Sequence, residues 1–124
     1  MRLFLFCITF RAMTRGEHLG EFEQVVLLAV ARLGGEGYGV TIRREIERRT
    51  GRRVSLGAVY ATLVRVEEKG FVEGREGEST AVRGGRSKRH YSLRPAGARA
   101  LRAARRMLDV MWEGVDVDAR PGKA

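Results

Sequence analysis

The sequence predicts a mostly α-helical fold with one small antiparallel β-hairpin. Residues 54–70 read as an amphipathic helix with well-signed ends, and residues 71–93 read as two short strands around a Gly- and Arg-rich loop. Residues 95–115 carry an apolar seam at three- and four-residue steps. A helix followed by a basic hairpin is the layout of a winged helix-turn-helix, here extended by a C-terminal helix suited to dimerisation.

The bulk numbers bound this reading. The chain has 124 residues, enough for one domain, and 44% hydrophobic with 31% charged residues suits a folded protein rather than a disordered one. A formal net charge of +9 points to a polyanionic partner, nucleic acid being the commonest, against the blander reading of a well-solvated surface. The single cysteine, Cys7, excludes an internal disulfide, and His18 and His90 stand too far apart for metal-ligand spacing. No metal or other cofactor is expected, and the cytoplasm, on the nucleoid, is the expected location.

The chain divides into four expected parts. Residues 1–18 form a leader or loose tail; the apolar run Leu3–Phe10 is too short for a membrane span, no small-residue cleavage pattern follows it, and Met13 offers an internal start. Residues 19–94 form the winged unit, 95–115 the dimerisation helix and 116–124 a flexible tail without an apolar face.

Within the winged unit the first helix covers Glu21–Leu33. Phe22, Val26, Ala29, Val30 and Leu33 share one face, while Val25 and Leu28 widen the apolar surface beyond a single stripe. A helix apolar over most of its circumference needs burial on two sides, either in a central core or between its own domain and a partner subunit. Gly34-Gly35-Glu36-Gly37 ends it. A second helix runs from about Gly39 to Thr50, with Tyr38, Ile42 and Ile46 inward and Gly51 as its left-handed stop.

The third helix has the firmest boundaries. Ser55 is the N-cap, Val54 and Val59 occupy the positions of a hydrophobic staple, and Gly70 with Phe71 fits a Schellman ending after Lys69. Leu56, Val59, Leu63 and Val66 form its expected buried face. The remaining face carries Gly57, Ala58, Ala61, Thr62 and Arg65, with Tyr60 at its edge. Small residues near the N-terminus allow a helix to sink into a major groove, where Thr62 and Arg65 reach base edges or phosphates. Tyr60 reads equally well as a packed core tyrosine with its hydroxyl at the rim.

Phe71–Arg75 and Arg89–Leu93 are the expected strands, with Tyr91 and Leu93 inward. The intervening loop concentrates Arg83, Arg86 and Lys88 just before Arg89, and Gly84-Gly85 makes it pliant. Such a loop suits a phosphate backbone or a minor groove, the alternative being a solvated hairpin. Pro95 opens the last helix, whose seam of Leu101, Ala104, Leu108, Met111 and Val115, with Trp112 beside it, is expected to meet a second subunit.

These segments together resemble PadR-type transcriptional regulators of the short kind, with one C-terminal dimerisation helix. The matching runs are L-L-A-V-A-R-L before G-Y-G-V-T-I-R-R-E-I, then V-S-L-G-A-V-Y-A-T-L-V-R-V-E-E-K-G-F-V, and G-G-R-S-K-R-H-Y-S-L, spanning roughly Leu19 to Trp112. The second run is the most specific. The resemblance implies a homodimer that binds a dyad in double-stranded DNA, usually as a repressor. It places Ser55, Gly57, Tyr60, Thr62 and Arg65 of the recognition helix, and Arg86, Lys88 and Arg89 of the wing, on the DNA. The apolar surfaces of the first and last helices supply the expected dimer interface: Val25, Leu28, Leu101, Ala104, Leu108, Met111 and Trp112.

Departures from the family pattern are local. Glu36-Gly37 stands where histidine often precedes the Gly-Tyr pair, and Leu93-Arg94 replaces the Leu-Thr that usually caps the last helix. Loss of that cap oxygen should cost about 1 kcal/mol, partly offset by Pro95. Multidrug-sensing members stack aromatic ligands on a tryptophan whose position falls at Leu108, with Trp112 one turn later. Leu108 and Trp112 are therefore the candidate site for a small aromatic effector, or Trp112 is simply a seam residue. A winged helix docking RNA or a protein is the alternative function. No nucleophile–base pair, carboxylate dyad or phosphate-cradling loop suggests an enzyme.

Overall fold

The computed structural model describes residues 18–77 and 88–119. In chain order these residues form α1 (Glu21–Arg32), α2 (Gly39–Thr50), α3 (Leu56–Glu68), β1 (Val72–Glu76), β2 (Arg89–Leu93) and α4 (Pro95–Trp112). The fold is the mostly helical, hairpin-bearing one that the sequence predicts.

Local chemistry sets each boundary. The Gly20 N–H donates to Glu23 Oε1 at 3.0 Å, which satisfies one donor at the α1 start, and Gly34 at φ +60° ends the helix. At α2 the Tyr38 N–H donates to Thr41 Oγ1 at 3.0 Å, and Gly51 at φ +71° closes the other end. The α3 cap matches expectation, because Ser55 Oγ accepts from the Ala58 N–H at 3.1 Å. Its end is a Schellman motif: the Phe71 N–H donates to the Val66 carbonyl at 2.9 Å and the Gly70 N–H to the Glu67 carbonyl at 3.0 Å. Phe71 is thus occupied in ending a helix, and β1 begins one residue later than the sequence suggests.

Helices α1, α2 and α3 enclose one core of Val26, Leu27, Val30, Ile42, Ile46, Val59, Leu63 and Val66, with Leu19 and Phe71 at its margin. Strands β1 and β2 pair antiparallel, with Val72 opposite Leu93, Gly74 opposite Tyr91 and Glu76 opposite Arg89. Tyr91 is buried, and its N–H also donates to the Gly37 carbonyl at 2.9 Å, so the turn before α2 is tied to the hairpin. That tie fixes the wing relative to the three helices.

The last helix corrects two expectations. Its first turns lie on the protomer's own domain: Gly97, Ala100 and Ala104 are buried, and Leu101 packs against the core. Ala104 is therefore covered by its own subunit, while Leu101 packs on the core and stays partly exposed. Only the far end projects, with Leu108, Met111 and Trp112 about half exposed or more. Helix α4 also stops at Trp112, because Gly114 turns into the left-handed region and the Val115 N–H folds back onto the Trp112 carbonyl at 3.0 Å. Val115 thus leaves the seam, although it stays exposed. Arg94 supplies no side-chain cap to α4, as its sequence implies, while Pro95 occupies the first turn.

Candidate nucleic-acid interface

Helix α3 is built with one buried and one open face. Val59, Thr62, Leu63 and Val66 follow i, i+3, i+4, i+7 spacing, and all four are buried. Gly57, Ala61 and Val64 lie on the opposite side and are exposed. A Cβ built on Gly57 would meet no atom within 4 Å, so this face is open at its N-terminal end.

Ser55 stands at the start of that face, its Oγ engaged as the helix cap with the hydroxyl proton still able to donate. Tyr60 remains 44% exposed, yet its ring rests against Gly39, where a Cβ would overlap it. It is both a packed and a rim residue, and Gly39 is what allows it to lie so close to α2.

Thr62 is corrected. It is 1% exposed, and its Oγ1 accepts from Arg65 Nη2 at 3.1 Å. Its position in the apolar stripe turns it inward, where Arg65 satisfies the hydroxyl; it cannot reach a base edge from there. Arg65 itself is half exposed and leans towards α1, with Nε 3.7 Å from Glu23 Oε2.

Glu23 collects several donors around that end of α3. It accepts from Lys69 Nζ at 2.9 Å as well as from the Gly20 N–H. Burial pushes its carboxyl pKa up, but the Gly20 and Lys69 hydrogen bonds and the Lys69 and Arg65 charges outweigh that, leaving it below 4.5. The carboxylate thus pins α3 to α1 while leaving Arg65 loosely held.

On the hairpin side Lys88 is exposed; its Nζ lies 4.5 Å from the centre of the Tyr38 ring and donates to the Tyr38 hydroxyl at 3.3 Å. Tyr38 in turn meets the His90 ring edge-on at 5.7 Å. Arg89 has partners within its own chain. Its guanidinium is held by Glu67 at 2.5 Å and Glu76 at 3.2 Å, and it lies over Gly74, where a Cβ would collide with it. The Glu67 hydrogen bond, opposed by desolvation, raises its pKa further. A cation held by two carboxylates joins the wing to α3, with its side chain still 38% exposed. Arg86 lies outside the described residues.

Two residues were missed in the sequence reading. Arg53, exposed just before Ser55, takes no ion pair among the described residues, whereas neighbouring Arg52 bonds Glu21 at 2.6 Å. Val64 is 54% exposed in the middle of the open face. Its place about 160° around the helix from Val66, in line with Gly57 and Ala61, was the available signal.

Away from this face, Val25, Leu28, Ala29 and Ile46 line a shallow apolar groove between α1 and α2, rimmed by Arg32, Glu45 and Arg49. Leu28 is half exposed and Val25 packs against the core. Among the described residues no helix is long and apolar enough to cross a membrane.

Residues 27–103 match the family described as Transcriptional regulator PadR-like. Solved structures share the fold. A transcriptional regulator from Clostridium thermocellum is 17% identical, with a TM-score of 0.64 over 79% of this chain and 89% of that one. A PadR family transcription regulator from Clostridium difficile is 18% identical, with a TM-score of 0.62 over 76% and 93%. RosR of H. salinarum is 29% identical, with a TM-score of 0.56 over 82% and 81%. A search of curated protein sequences gave no match.

Proposed function

The chain belongs to the PadR-like family of transcriptional regulators, and from that premise we propose that it acts as a homodimeric repressor reading a dyad in double-stranded DNA. The observation that carries this is the open face of α3, bare of side-chain bulk at Gly57 and flanked by Arg53, Arg65 and Lys88. The helix enters the major groove along its open face from Gly57 to Val64, with Ser55 and Tyr60 at the groove edge and the cations on phosphates. Arg86 extends the phosphate contacts along the wing. Affinity comes largely from phosphate neutralisation, so it falls with salt.

Leu108, Met111 and Trp112 at the end of α4, with Leu28 on α1, meet the second subunit. Two-fold symmetry then places half-sites about one helical turn apart, ~34 Å. A small aromatic effector entering beside Leu108 and Trp112 shifts the distance between the two reading helices and so releases the DNA. The protein works in the cytoplasm, on the nucleoid.

The test is selection from a randomised duplex pool, followed by salt-titrated binding of the selected duplex against RNA of the same sequence. A preferred duplex with two inverted half-sites, weakened by Arg65→Ala and by Arg86→Ala without loss of dimer, is expected. Equal binding to RNA, or no preferred duplex, contradicts the proposal.

A further inference from the structure

We propose that Val64 and Ala61 read the 5-methyl groups of thymines in the major groove, making thymine the base on which this face of the helix depends. The inference rests on the DNA-binding reading above and adds its chemical basis. At 100° per residue, Gly57, Ala61 and Val64 fall within a wedge of about 60°, roughly opposite the buried stripe. None of the three side chains carries a hydrogen-bonding atom. A face of this kind cannot read the donors and acceptors of guanine, cytosine or adenine, but it can bury a methyl.

Val64 has no internal purpose that explains it. It is 54% exposed, so it adds little to the core, and a β-branched residue is among the weaker helix formers. Its surroundings point to DNA rather than to a protein partner. Arg53 just before the α3 cap, Arg65 on α3 and Lys88 over Tyr38, next to the Gly39 on which Tyr60 packs, put exposed positive charge near the apolar patch, as a phosphate-lined groove requires. Glu68, exposed one turn beyond Val64 and without an ion pair among the described residues, repels phosphate and limits the contact to the earlier turns of α3. Gly57 leaves the backbone bare where the helix enters, so the following turn, with Ala61 and Val64, comes close enough to touch base edges.

The experiment uses the full chain and a duplex selected from a randomised pool. Each thymine is replaced in turn by deoxyuridine, which removes only the methyl, and affinity is measured at fixed salt for the wild type and for Val64→Ala. Val64 is exposed, so the variant folds; circular dichroism confirms it. At one or two thymines per half-site, deoxyuridine should weaken wild-type binding about fourfold per methyl lost. The loss should shrink towards none in Val64→Ala at the thymine that Val64 touches. A selected duplex indifferent to deoxyuridine at every position overturns this inference while leaving sequence-specific binding intact. An undiminished deoxyuridine penalty in Val64→Ala removes Val64 from the assignment in the same way. Failure to select any duplex removes the DNA-binding reading itself, and this inference with it.

Discussion

Replacing Gly57 by alanine separates what this helix needs to fold from what it needs to bind. Gly57 lies in the first turn of α3, takes no positive φ, and has nothing within 4 Å of where a Cβ would stand. Glycine in a helix costs about 0.5–1 kcal/mol relative to alanine, with less at the first turn. Gly57→Ala should therefore stabilise the protein by about 0.5 kcal/mol, a rise in Tm of about 2–4 °C for a domain of this size. In the proposed complex the same methyl points at base edges. Forcing it into a close-packed contact costs about 1–3 kcal/mol, so duplex affinity should fall about fivefold or more. Thermal melting by circular dichroism and fluorescence anisotropy with the selected duplex measure the two effects separately. A lower Tm would mean that something packs on Gly57. A higher Tm with unchanged affinity would mean that this face does not enter the groove, and the account of α3 would be wrong.

Other outcomes follow from the packing. Gly97→Ala should destabilise despite its better helix propensity, by about 1–3 kcal/mol, because its Cβ would overlap the Phe71 carbonyl and lie 2.8 Å from Leu93 Cδ1; chemical denaturation measures it. Glu23→Gln should cost about 1–2 kcal/mol at neutral pH by leaving Lys69 and Arg65 without their carboxylate. Because the folded carboxyl pKa is depressed, its stabilisation is present above the ordinary glutamate value of 4.5 and is lost as pH falls through the lowered one. Melts of wild type and Glu23→Gln should therefore converge in acid. Met111→Ala with Trp112→Ala should raise the dimer dissociation constant at least tenfold in sedimentation while the helical spectrum is retained, since both residues are more than half exposed.

What was legible in the sequence was mainly local. The α3 cap, its staple positions and its Schellman ending are written in adjacent residues, and Ser55, Gly70 and Phe71 do what their types dictate. What was not legible depends on distant parts of the chain. Thr62 is polar and looked outward, but the three-dimensional stripe includes it and Arg65 supplies the hydrogen bond that makes burial tolerable. Arg89 looked like one more wing cation until the strand register set Glu76 opposite it and the fold brought Glu67 alongside. Ala104 fits either a dimer seam or an intramolecular contact, and only the docking of α4 on its own domain decides. Val64 was overlooked because an exposed valine carries no chemistry until its neighbours on the face are known.

In the proposed complex Arg65 beside the α3 face and Lys88 at the hairpin base sit against DNA phosphates. The slope of log affinity against log salt tests this placement directly, because each phosphate contact contributes about 0.9 to that slope. Arg65→Ala combined with Lys88→Ala should reduce the slope by about 1.8 per bound protomer while the protein stays folded and dimeric. An unchanged slope, with the same affinity as the wild type, would contradict the account.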